Sequence, residues 1–430
     1  MKYRHRVLGM LFLLSIITYL DRVCISVAGP RMQQDLSITP QMWGWVTGAF
    51  TLSYALFEIP SGALGDRFGP RKMLTRIVVW WSVFTTLTGT VSRFFSLLLM
   101  RFFFGAGEAG AYPISSATIS RWFPTAERAR AQGIVWMASR VGGALAPLLV
   151  VPIQIRYGWR ASFWCFGGLG LIWAAIWYSW FRDYPAEKRG VTRQELEEIG
   201  GGKRTSHEWL PWRIALRRGN LWTIIFMYHT YCWGSYFYLS WLHTYLQKGR
   251  GFTEREMGFF STFPFIIGAM ANLFGGFLSD VLSRKYGLKW GRRAVGATGL
   301  ALAGCFLLCT ALTGSKMAAV VFLTLGYGSM DCMLPAAWAV CLDVGQKYAG
   351  TVSGTMNMAG QIGSFTSAVA FGYMVNYFHN YNTPLIPLAT MLLISAVLFL
   401  RIDPTQQLIP ETASTAATAG NRAETSGGSC

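Results

Sequence analysis

Charge is what this chain of 430 residues has little of. Asp, Glu, Lys and Arg make up 13% of it, where about 25% is usual for a soluble domain. Acid is scarcer still, with 20 Asp and Glu beside 38 Lys and Arg. There is no His/Glu metal motif, no nucleophile elbow and no Gly-rich cofactor loop, which excludes the common enzyme classes and any cofactor beyond a coupling proton. The eight cysteines (Cys24, Cys165, Cys232, Cys305, Cys309, Cys332, Cys341, Cys430) have neither disulfide nor metal spacing and read as small hydrophobes facing a core. A net charge of +18 invites a nucleic-acid partner. The basic residues are not gathered on any soluble module, however, so that partner is excluded.

What the chain has is apolar length. It is 52% hydrophobic, and its mean hydropathy is +0.34. A spanning helix needs about 20 mostly apolar residues. Twelve such stretches are present, at 7–29, 43–63, 73–92, 95–120, 129–151, 160–181, 220–246, 256–280, 294–313, 317–341, 350–377 and 383–401. The predicted fold class is therefore all-α integral membrane, with 12 transmembrane helices in two six-helix halves. The first run follows Met1-Lys-Tyr-Arg-His-Arg6 like a signal peptide. It ends in Asp21-Arg22 rather than at a small-residue cleavage site, so it reads as a retained helix.

Residues 1–181 form the first half, 182–219 a charged central loop, 220–401 the second half and 402–430 a disordered Ala/Thr/Gly/Ser-rich tail. Of the 38 basic residues, 27 fall on the side of the N-terminus and 8 on the other. Positive residues stay inside, which predicts cytoplasmic termini in a bacterial inner membrane. No soluble domain fits in what remains, and a monomer needing only lipid around it is the default.

Two features bear on function. The polar stretch Gly62-Ala-Leu-Gly-Asp-Arg-Phe-Gly-Pro-Arg-Lys72 is echoed by Gly276-Phe-Leu-Ser-Asp280, with Arg284-Lys285 close behind. Matching motifs in two halves mark a duplicated transporter. The second feature is charge inside apolar stretches, which is costly and hence a functional candidate: Asp21 and Arg22 in the first, Glu58 in the second, Arg101 and Glu108 in the fourth, Arg140 in the fifth and Asp331 in the tenth. Tyr19 and Arg22 are three residues apart and share a face. Asp21 points about 100° away from Arg22 and suits a different partner. Arg101 and Glu108 share a face about 10 Å apart. Glu58, two residues before Pro60, reads as structural. Tyr54 and Trp338 would line a sugar-sized cavity.

Gly62-x-Leu-x-Asp66-Arg67-x-Gly69-x-Arg71-Lys72 resembles the loop 2–3 signature of the major facilitator superfamily. Tyr19-Leu-Asp-Arg22, Arg101-Phe-Phe-Phe-Gly-Ala-Gly-Glu108-Ala with Pro113, Ser120-Arg-Trp-Phe-Pro124-x-x-Glu127-Arg128, and Lys347-Tyr-Ala-Gly350-Thr-Val-Ser-Gly354 with Asn357 are similar to its anion:cation symporter family. That family includes hexuronate, galactonate, glucarate and phthalate transporters. The resemblance implies the major facilitator fold and proton-coupled uptake of an organic carboxylate by alternating access. It implies that Arg22 binds the carboxylate and that Tyr19, Tyr54, Trp338 and Asn357 line the pocket. Asp21 and Glu108 would carry protons, with Arg101 a switchable partner of Glu108. Asp66, Arg67 and Arg71 would gate. Arg140 departs from the family pattern; as a second cation it suits a dicarboxylate or pairs with an acid.

Overall fold

The computed structural model describes residues 2–199, 211–345 and 348–408. The first half runs through α1 (Tyr3–Asp35), α2 (Pro40–Phe68), α3 (Pro70–Thr88), α4 (Phe94–Glu108), α5 (Ala111–Trp122), α6 (Thr125–Tyr157) and α7 (Trp159–Trp180). Two short helices follow in the connection, α8 (Arg193–Ile199) and α9 (Trp212–Ala215). The second half comprises α10 (Gly219–Ser240), α11 (Leu242–Thr244), α12 (Glu254–Phe260), α13 (Thr262–Tyr286), α14 (Leu288–Leu312), α15 (Lys316–Gly345), α16 (Ala349–Phe378) and α17 (Leu385–Arg401). No strand occurs among the described residues.

Every predicted stretch falls on one helix or on helices in series. The fourth stretch breaks at Ala109-Gly110 into α4 and α5, the seventh at Trp241 into α10 and α11, and the eighth at Ser261 into α12 and α13. Among the described residues, seven helical runs are long and apolar enough to cross a bilayer, among them α1, α14 and α15. Large apolar side chains such as Phe95, Ile172, Phe226, Phe277 and Leu312 cover the outside of the bundle. In water such a surface would aggregate; against lipid tails it costs nothing. Three cysteines join that outer surface instead of the core, namely Cys165, Cys305 and Cys309, because each sits on the lipid-side face of its helix. Cys430 lies outside the described residues.

The helices pack as two related sets. In the first half α1 lies on α6, α2 on α4, and α3 on both α4 and α7. In the second, α10 lies on α16, α13 on α15, and α14 on both α15 and α17. The halves meet through α2 on α16 and α6 on α13, two contacts that the same repeat relation exchanges. Close approach needs small residues: a Cβ on Gly142 would lie 2.5 Å from the Ile16 carbonyl oxygen, so α1 and α6 meet backbone to backbone.

The duplication reaches the polar ends. Gly69 turns α2 into α3 and Gly287 turns α13 into α14, with φ of 80° and 85°. Two residues after the first turn, the Arg71 amide donates to Asp183, just beyond α7, at 2.8 Å. Two residues after the second, Lys289 Nζ donates to Asp403, just beyond α17, at 2.7 Å. Residues 402–408, within the segment expected to be disordered, are thus placed: Ile402 and Leu408 are buried, and Asp403 exchanges hydrogen bonds with Asn220. The tail beyond them lies outside the described residues, as does part of the central loop.

Burial pushes the Asp403 carboxyl up, but hydrogen bonds from Lys289 and Thr405 outweigh it and hold the group at about 2. A depressed carboxylate stabilises above its ordinary range, near pH 4, and that contribution disappears as the pH falls toward 2. Asp403→Asn and Asp183→Asn are each expected to cost about 1 kcal/mol, measured by thermal unfolding in detergent. The two should add, because the clasps sit in different halves.

Candidate functional site

The charged residues of the apolar stretches collect at the middle of the bundle. Arg22 on α1 donates from Nε to Glu108 Oε1 on α4 at 2.5 Å. Its guanidinium carbon lies within 5.0–5.8 Å of the ring centres of Tyr19, Phe50, Tyr54 and Tyr112. Cation–π contact is a favourable substitute for water around a desolvated guanidinium. Nη2 of Arg22 and Oε2 of Glu108 have no hydrogen-bond partner among the described residues. The pair therefore leaves the Nη2 donors of Arg22 and one acceptor of Glu108 spare.

Asp21 takes the other side of α1. It is 1% exposed, and neither carboxylate oxygen is hydrogen bonded among the described residues. Its charged neighbours are Glu108 and Arg101, and the Trp81 indole is the polar side chain beside it. Arg101 is buried rather than at a snorkelling position, with its guanidinium over Phe50 and Phe104 at 5.1 and 4.5 Å. No Arg101–Glu108 ion pair occurs among the described residues; Arg22 holds that carboxylate and Arg101 remains an electrostatic neighbour of it.

Arg140 on α6 crosses to the second half. Nη2 donates to Asp331 Oδ1 on α15 at 2.9 Å, and Nε lies 2.8 Å from Oδ2. The Arg140 guanidinium also lies against Tyr19 and Tyr327, at 5.9 and 5.8 Å. Trp338 is half-buried across from Trp136, with ring centres 5.8 Å apart, and Trp136 stacks on Tyr112 at 4.6 Å. Asn357 is committed to Glu58: its amide donates to both carboxylate oxygens at 2.7 and 3.0 Å, joining α2 to α16. Glu58 is held in this way by the Asn357 amide nitrogen, which is engaged there in this arrangement.

The two ends of the bundle differ. At the end holding residues 31–39 and 244–254, Arg31 reaches across the halves to Glu254 at 2.6 and 2.5 Å. Gln154 joins the same carboxylate at 2.5 Å, Lys248 donates to Gln33 at 3.1 Å, and Ser26 meets His243 at 2.8 Å. At the opposite end, ion pairs among the described residues stay on one side. Arg71 reaches the Tyr178 carbonyl and ring, and Arg292 holds Asp280 and Asp343. Arg67 is exposed beside Phe68. The Asp66 side chain lies outside the described set. Among the described residues, Arg67 and Arg71 make their hydrogen bonds and ring contacts within the first half.

Sequence reading missed Phe50, Tyr112, Trp136 and the Arg31–Glu254 contact. Tyr112 lies four residues after Glu108, but the break at Ala109-Gly110 puts the two on different helices, so spacing alone does not give them a common face. The others depend on how helices are rotated against one another.

Comparison with known proteins agrees with this architecture. Residues 11–368 match the Major Facilitator Superfamily. The chain is 35% identical to a probable sulfoacetate transporter of Cupriavidus necator, covering 94% of both chains. It is 28% identical to a hexuronate transporter of Bacillus subtilis, over 85% of this chain and 86% of that one. A probable galactarate/D-glucarate transporter of Escherichia coli is 29% identical over 92% of each. In fold, the chain is similar to a bacterial homologue of the human lysosomal transporter Spinster, in an inward-facing and occupied conformation, with a TM-score of 0.77, 22% identity and coverage of 94% and 97%. These relatives are transporters, not enzymes. The helical duplication, the buried arginine–carboxylate pairs and the match across most of its length place the chain in the Major Facilitator Superfamily.

Proposed function

We propose that this organic-anion transporter, a multi-pass membrane protein, takes up a carboxylate such as a sugar acid (hexuronate, aldonate or glucarate) with protons by alternating access. The observation that carries the reading is the Arg22–Glu108 pair, enclosed by aromatic rings and left with a spare donor. Arg22 keeps 11% of its side chain accessible while Glu108 keeps none. The cation faces the accessible space and the acid stands behind it. Protonating Glu108 removes the charge that holds Arg22, and the freed guanidinium receives the substrate anion. Tyr19, Tyr54 and Trp338 line the pocket. Asp21, which has no ion-pair partner among the described residues, is the second proton carrier, with Arg101 close enough to respond to its charge. Asp66, Arg67 and Arg71 gate the opposite end when the halves rock. With the termini cytoplasmic in a bacterial inner membrane, the closed end faces outward and the arrangement is inward-facing. The protein works as a monomer.

The energetics favour two carriers. A proton entering down about 100 mV contributes about 2.3 kcal/mol, and one pH unit adds about 1.4 kcal/mol. A monoanion moving inward against the same potential cancels one proton's electrical term, so accumulation of a monoanion works better with two.

The test is uptake of labelled galactonate, glucuronate and glucarate into proteoliposomes, with and without an inward proton gradient, for the wild type and Glu108→Gln. Gradient-driven accumulation in the wild type, reduced to gradient-insensitive exchange in Glu108→Gln, is the expected result. Saturable uptake indifferent to the gradient would turn the protein into a facilitator or exchanger. Binding without any flux would make it a membrane anion sensor.

A further inference from the structure

Arg22 and Arg140 lean on the same ring. Their guanidinium carbons lie 5.4 and 5.9 Å from the centre of Tyr19, so they are no more than about 11 Å apart, within the span of one small molecule and its hydrogen bonds. Each is paired with an acid, and the two pairs have the same exposure pattern. Arg22 and Arg140 keep 11% and 9% of their side chains accessible, whereas Glu108 and Asp331 keep 0% and 2%. In both pairs the cation is the member turned toward accessible space. The pairs differ in one respect: Arg22–Glu108 lies within the first half, and Arg140–Asp331 ties α6 to α15 across the halves.

We infer that the substrate is a dianion held between the two arginines, with one acidic group on Arg22 and the other replacing Asp331 on Arg140. The inference rests on the anion-transport reading above and specifies the substrate class of that site. In the empty protein Asp331 stands in for the second acidic group, satisfying a guanidinium that would otherwise be buried without a counterion. An incoming dianion supplies that counterion itself. A monoanion engages Arg22 and leaves Arg140 on Asp331. Arg140 is thereby the residue that separates dianions from monoanions, and loading the site exchanges a contact between the halves for one made through the substrate.

The test is equilibrium binding to the purified full chain in detergent, read by calorimetry, with malonate, D-glucarate and D-gluconate as probes. Glucarate and gluconate share a six-carbon polyol skeleton and differ in the second carboxylate; malonate is a short dianion. At least one dianion should bind about tenfold or more tighter than gluconate, the usual increment for a charge-assisted pair. Asp331→Asn leaves Arg140 without its counterion, which costs stability, and in the folded protein it should tighten that dianion about threefold or more, with gluconate unchanged. Arg140→Gln leaves Asp331 alone in the interior and is expected to fold poorly. The double variant Arg140→Gln/Asp331→Asn, which substitutes a neutral amide pair, is the informative one. It should keep gluconate affinity and bring the dianion/monoanion ratio near one. Gluconate binding as tightly as both dianions in the wild type, or a preference that survives in the double variant, overturns the inference while the transport reading stands. Absence of binding by all three probes, in a protein that also takes up none of the sugar acids, removes both.

Discussion

Arg22→Gln is expected to reduce sugar-acid uptake by about 100-fold, the scale of losing a charge-assisted contact to a substrate carboxylate in a dry site. The same change also damages the protein. Glu108 is wholly buried, and Arg22 is the base in direct contact with it among the described residues. Removing one member of a buried pair costs about 3–5 kcal/mol, because the survivor is left uncompensated. Lost uptake in the single variant therefore does not separate a binding role from a folding role. Arg22→Gln/Glu108→Gln does separate them. Two neutral amides can hydrogen bond where the ions stood, so thermal stability should recover most of the deficit, giving a coupling of about 2–3 kcal/mol in a double-mutant cycle. Uptake should not recover, since the cation that receives the first carboxylate is gone and Arg140 stays on Asp331. The measurement pairs unfolding temperature with initial uptake rate for all four proteins. Restored uptake in the double variant would assign Arg22 a structural role and move the anion site elsewhere.

How much of this was legible in the sequence depends on which property carried the signal. The twelve stretches were readable because a bilayer demands apolar length whatever the neighbours are. Helix breaks were not: Gly110, Trp241 and Ser261 interrupt three of them without leaving the apolar pattern. Arg22, Glu108, Arg101 and Asp21 stood out because charge is expensive where they sit. Their pairing did not, since Arg22 and Arg101 are both within plausible reach of Glu108 on helical geometry alone. The rotation of α1 against α4 decides for Arg22. The same holds for Arg140, whose partner Asp331 lies 191 residues away on a helix of the other half. The repeated glycine turn was visible at Gly69, yet its second copy falls at Gly287, seven residues after Asp280, where the first copy has three. That longer arm hid Lys289 as the counterpart of Arg71. Arg31 and Glu254 were invisible for the opposite reason: a charge at a helix end near the interface is ordinary. Only the fold reveals that they face each other.

That contact leads to the second large effect. Alternating access requires the end that is closed here to open, separating α6 from α12. Its bonds are numerous but individually weak. Arg31 and Glu254 keep 36% and 16% of their side chains accessible, and pairs of that kind contribute about 1 kcal/mol or less. A handful of them amounts to a few kcal/mol, enough to favour one state while leaving the other populated at the 0.1–10% level typical of working switches. A covalent bond in the same place should remove the second state altogether. A Cβ built on Gly258 lies 3.2 Å from Val151 Cβ and 2.7 Å from its Cγ2. Replacing both residues by cysteine deletes the crowding methyl, and a shift of about 0.5 Å then brings the two Cβ atoms to the ~3.8 Å mean of natural disulfides. Val151→Cys/Gly258→Cys is expected to lose uptake entirely on oxidation and regain it on reduction, with Val151→Cys alone indifferent to both treatments. Mass spectrometry of the oxidised protein establishes that the bond has formed. Uptake at the full rate from cross-linked protein would mean that this end never opens during transport, and rocking of the two halves would have to be abandoned as the mechanism. Loss with recovery ties flux to the separation of α6 and α12, and makes the Arg31–Glu254–Gln154 cluster the part of the interface that sets how often the closed end opens.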